Sequence, residues 1–156
     1  MYATFLVLHN LTRWLVLLFG FWALYRLVDG WIRRRSWSRA DRLAMRWFAL
    51  IISLQFVFGA VLYLLPGALV QGALSNAGWA TIMKSRILRF FTLEHPLQMF
   101  IAIGVSHMAN MITRRMSVDR RRFVTGTLLL SLAMLLILVA IPWPFLSHGR
   151  PLLRLP

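Results

Sequence analysis

The chain has no cysteine, and only four of its 156 residues are acidic. Without cysteine there are no disulfides, no iron–sulfur clusters, no thiolate catalysis and no haem attached through C-x-x-C-H. With three Asp and one Glu, the sequence offers no carboxylate pair, and it also lacks a nucleophile–base arrangement and a phosphate-binding glycine loop. Hydrolytic and phosphoryl-transfer chemistry therefore has no support. Period-two alternation, which would mark a membrane barrel, is missing. So are internal repeats and low-complexity tracts.

What is present is apolar. By residue count 60% of the chain is hydrophobic and 14% charged, and the mean hydropathy is +0.70. A soluble domain is about 45–50% apolar and about a quarter charged, so the excess must face lipid. A bilayer core about 30 Å thick takes roughly 20 apolar residues in a helix. Four stretches qualify: about 4–25, 47–65, 96–112 and 123–143, the last stopped by Pro142-Trp143-Pro144. The expected fold is all-α, a four-transmembrane-helix bundle forming one membrane domain over 1–156. The N-terminal stretch has no basic n-region, is long for a signal peptide and is followed by a basic loop, so it reads as a retained span.

Eighteen Lys and Arg against four acids give a formal charge of +14 and a pI near 12.0. That would suit a nucleic-acid binder, but the charges sort by loop. Seven arginines lie between spans one and two (Arg26, Arg33, Arg34, Arg35, Arg39, Arg42, Arg46) and five between spans three and four (Arg114, Arg115, Arg120, Arg121, Arg122). The positive-inside rule puts these loops in the cytoplasm of a bacterial inner membrane and both termini outside. The partners expected are the lipid bilayer and the anionic lipid headgroups at the Arg-rich loops, not nucleic acid. The connection between spans two and three starts as a loop at Pro66, Gly67, Gly72, Asn76 and Gly78. Its second half, about 79–91, has the apolar spacing of an interfacial helix or a packed lid.

Ionisable residues inside spans are costly and usually face the bundle interior. His9 and Arg13 are four apart on one helical face, and Gly20 returns to nearly the same angle. His9 lies 17 residues before Arg26, and His95 lies 19 before Arg114; at 1.5 Å per residue the two imidazoles differ by about 3 Å in depth. At one level they suit the two axial positions of a haem b iron. Arg13 would then pair with a propionate or a quinone oxygen, and Glu94 with an imidazole or Arg13. Glu94-His95-Pro96 equally marks a helix start, with His95 wet at the interface. His107, about 18 Å deeper than His95, falls level with Ser53 and suggests an inner polar layer of His107, Ser53, Gln55 and Asn110. His148, in the tail, is expected to be solvated.

The segments Leu8–Leu17 (LHNLTRWLVL), Leu54–Tyr63 (LQFVFGAVLY), Arg89–Met99 (RFFTLEHPLQM) and Ala140–Pro144 (AIPWP) resemble a group of small four-span bacterial membrane proteins, sometimes labelled cytochrome-b-like. Their likeness to b561-type cytochromes is one of architecture. The resemblance implies that His9, Arg13, Trp14, Glu94, His95 and Pro96 occupy motif positions. This chain has Ser53 where the group often has a histidine, which tells against a second haem. The functional expectation is electron carriage between quinone and a partner. The rival is a cofactor-free accessory subunit of a larger respiratory or photosynthetic complex, and a small transporter comes third.

Overall fold

A computed structural model describes residues 1–66 and 68–152; Gly67 of the expected loop and Arg154 of the outer tail lie outside the described residues. Apart from short connections and the tail after residue 140, the described chain is helical, without strands: α1 (Tyr2–Ile32), α2 (Arg39–Leu64), α3 (Leu69–Asn76), α4 (Trp79–Lys84), α5 (Arg86–Arg89), a π turn (Phe90–Glu94), α6 (His95–Arg115) and α7 (Asp119–Ala140). Three stretches, Tyr2–Ile32, Arg39–Asn76 and Asp119–Ala140, are long and apolar enough to cross a membrane. With 21 residues, α6 reaches about 32 Å. It is leaner in apolar residues, because Gln98, Ser106, His107, Asn110 and Thr113 interrupt it.

Two expectations about the connection change. Part of the expected loop is helical, as α3, and the expected helix over 79–91 is broken at Ser85, whose backbone is extended (φ −84°, ψ 112°). Its second piece, α5, runs on through the π turn into α6. The Ser85 hydroxyl accepts the Leu88 N–H at 3.4 Å and starts this new helix.

The four long helices form a square in the order α1, α2, α6, α7, with α1 and α6 on opposite corners. At the end bearing the arginine loops, the space between them is filled. Leu27, Phe48, Ile52 and Phe123 are at most 1% exposed. Gly30 admits the Phe123 ring, since a Cβ there would lie 2.1 Å from it.

An ion knot fastens the same end. Ser38 caps α2 in a reciprocal box with Asp41, which explains why the helix starts well before its apolar stretch. The Asp41 side chain is fully buried and takes a bidentate pair from Arg35 (2.7 and 2.8 Å) and the Arg26 Nε–H at 2.9 Å. Arg35 also reaches Asp29 at 3.0 Å and donates to the Arg26 carbonyl at 2.7 Å. These bonds hold the tight return after α1, where Arg34 adopts φ 52°. Asp119 accepts the Trp37 N–H at 3.0 Å, which ties the loop to α7. Asp41 lies six residues before Trp47, where the apolar span begins. Burial alone would raise its pKa; the bonds from Arg35 and Ser38 and the nearby Arg26 outweigh that and hold it at about 2.

Candidate functional site

At the opposite end, where the described chain begins and ends, the square does not close. A cavity of about 730 Å³ runs between α1, α2, α6 and α7, lined mostly by apolar side chains and by His9, Asn10, Arg13, Gln55, His95 and Arg150. Its volume falls in the range of small-molecule and cofactor sites.

The position of His95 follows from Pro96. Proline has no N–H for the Thr92 carbonyl and its ring crowds that oxygen. The helix responds with a π turn, in which the His95 N–H reaches back five residues to the Phe90 carbonyl. The freed Thr92 carbonyl accepts the Tyr63 hydroxyl of α2 at 3.1 Å. The His95 ring is fixed in turn by an Nδ1–H bond to the Ala140 carbonyl of α7 at 2.8 Å, which leaves Nε2 as the lone-pair nitrogen. Phe90 lies 5.7 Å from the His95 ring.

His9 comes from the diagonal corner. Both N–H groups of the Gln55 amide turn to it, one to its carbonyl at 2.9 Å and one to its Nε2 at 3.2 Å. The Thr12 hydroxyl contacts the Leu8 carbonyl at 2.8 Å and Gln55 Oε1. Gly59 makes room for the ring, since a Cβ there would sit 3.1 Å from His9 Cε1. His9 Nδ1 is buried and has no hydrogen-bond partner. A buried polar atom left this way costs about 1–3 kcal/mol. The imidazoles of His9 and His95 lie edge to face, with ring centres 6.3 Å apart and planes at 76°.

Arg13, a turn further along α1, has its guanidinium 5.6 Å from the centre of the Trp14 ring and bonded to the carbonyl of Leu152. Trp14 Nε1 donates to the same carbonyl at 3.3 Å. The tail after α7 thus folds back across the cavity mouth. His148 is not solvated: its ring stacks on Phe90 at 3.8 Å, and both its nitrogens are buried without partners.

Other expected site residues lie elsewhere. Glu94 meets neither imidazole nor Arg13; it pairs with Arg89 at 2.6 Å, because the π turn brings residues five apart onto one face. Gly20 faces Met134 and Phe48, where a Cβ would meet the Met134 sulfur at 2.3 Å, so it serves close helix packing away from the cavity. Of the inner polar layer, His107 and Ser53 do bond, at 2.9 Å, on an exposed face. Gln55 belongs to the His9 network instead, and Asn110 is half-buried. Among the described residues no three His, Asp or Glu gather as a metal cluster. Tyr63 and the tail contacts were not foreseen from the sequence; the proline beside His95 was the available signal for Tyr63. Compared with family models, curated proteins and solved structures, the chain matches none.

Proposed function

We propose that the chain is a small b-type cytochrome of the bacterial inner membrane, with α6 as its fourth span, both termini outside and the arginine loops in the cytoplasm. His9 and His95 would hold its haem iron, and it would carry electrons between quinone and an outer-side partner. The observation that carries this reading is the imidazole pair meeting over the cavity. Two iron–nitrogen bonds of about 2.1 Å, plus about 1 Å from each nitrogen to its ring centre, span roughly 6 Å; the rings are 6.3 Å apart.

The residues present fit a haem in three further respects. His95 has Nδ1 anchored on a backbone carbonyl and Nε2 free, the usual arrangement of a ligating histidine. His9 carries its lone pair on Nε2, engaged only by the Gln55 N–H at 3.2 Å, a bond that iron ligation would displace. The cavity is large, mostly apolar and carries arginines among its few polar groups. A bound haem would supply a one-electron iron couple. The chain's own part is to hold two imidazoles from diagonal corners, to shield the site with Phe56, Met99 and Phe100, and to place cations near it.

Purified protein expressed with iron and porphyrin present should give a reduced-minus-oxidised spectrum with a b-type α-band, and His9→Ala and His95→Ala should each abolish the six-coordinate signal. A colourless wild-type protein that migrates with a large membrane complex on native gels would replace this reading with the accessory-subunit one.

A further inference from the structure

Among the described residues the cavity wall carries two guanidiniums, Arg13 and Arg150, and no Asp or Glu. Of the four acids in the chain, three sit in the arginine-end knot and its α7 anchor, and Glu94 is taken by Arg89. Arg13, set in an apolar helix, bonds among the described residues to a neutral group, the Leu152 carbonyl. A buried or half-buried cation normally pairs with an anion. Arg150 lies two residues before Leu152, within about 7 Å along the chain, with its guanidinium 5.2 Å from the Phe91 ring centre. The tail is held by few bonds: Arg150 N–H to the Pro142 carbonyl at 3.0 Å, Arg86 to Ser147 at 3.1 Å, and the bonds to Leu152.

We propose that Arg13 and Arg150 form a carboxylate site at the cavity mouth, and that the Leu152 carbonyl is the stand-in a bound acid displaces. The occupant is an apolar body bearing a carboxylate. On the haem reading, which this rests on for the identity of the acid but not for the arginine pair, the carboxylates are the haem's propionates and the porphyrin enters with that edge toward the tail. The tail residue Arg150 then binds ligand as well as covering it.

The test compares acid with neutral ligand on the full chain in detergent. Haem b and its dimethyl ester are titrated against wild type, Arg13→Gln, Arg150→Gln and the double variant, read by Soret absorbance and midpoint potential. Oleic acid and oleyl alcohol are titrated in parallel by fluorescent-probe displacement, and helix content is checked by circular dichroism. Wild type should hold haem b at least tenfold tighter than the ester. Each glutamine variant should shrink that ratio severalfold, leave ester binding unchanged and lower the potential. Equal affinity for acid and neutral forms in both ligand pairs, or a preference that survives the double variant, overturns the proposal. If no porphyrin binds but oleate is favoured over the alcohol in an arginine-dependent way, the haem reading fails and the carboxylate site stands with an acyl chain as its source.

Discussion

The two ends of the bundle use the same four helices for opposite purposes. At the arginine end, Phe48, Phe123 and Leu27 fill the middle and Asp41 locks the loop. At the terminal end, the helices leave a cavity of about 730 Å³ and direct polar side chains into it. Apolar contact between helices gains little from lipid exclusion, so packing and polar bonds must hold such a bundle together. A hollow end is sustainable because the other end is tightly made. Substitutions at the arginine end should therefore lower stability, and those at the terminal end should alter ligand binding.

The largest effect is expected from Asp41→Ala. It strands Arg35 and Arg26, and loss of one partner from a buried charge network costs about 3–5 kcal/mol; thermal unfolding in detergent should show it. Phe123→Ala comes next, at about 3 kcal/mol, because it empties the space between Gly30 and Trp37. If that loss were matched by Phe100→Ala at the hollow end, the contrast between the ends would collapse.

Acid should act through the same knot. Asp41 has a folded pKa of about 2 against an ordinary 3.8. Its contribution is therefore complete above pH 4 and is lost as pH falls toward 2, amounting to about 2 kcal/mol. Asp41→Asn should flatten the melting-temperature profile in that window. Gly20→Val is expected to cost about 1–3 kcal/mol by driving Met134 and Phe48 apart.

The smallest change in stability is expected at the hollow end. Gly59→Ala meets the His9 ring at 3.1 Å, and with open space beside it the ring can shift for less than about 1 kcal/mol. The haem spectrum, by contrast, should weaken or change its ligation signature. A large drop in melting temperature with an unchanged spectrum would show that this end, too, is built for rigidity.

Much of the all-helical organisation was legible because apolar runs and arginine clusters are local signals. The histidine pairing was legible too, since depth in a helix is a matter of counting. Ser53 and His107, expected at one level, bond to each other. Gln55, two residues on, points about 200° away from Ser53 around α2, so it meets His9 of α1 and not His107 of α6. Which face of α2 meets which neighbour is a tertiary matter that depth alone does not give. The arginines between α1 and α2 read as a lipid-facing patch, yet Arg26, Arg33 and Arg35 are bound to aspartates. Glu94 went to Arg89 because the π turn changed which residues share a face, and only Pro96 hinted at it.

The π turn before His95 carries one residue more than an α-helix would use over the same length. Deleting a single residue between Phe90 and Glu94 would restore regular winding and swing everything upstream by about 100° relative to α6. Tyr63 would lose its carbonyl and Phe90 its seat beside the imidazole, while the hydropathy profile of the chain would barely change. One codon thus separates a bundle with a furnished interior from a plain lipid-embedded one, a distinction that counting apolar residues does not detect.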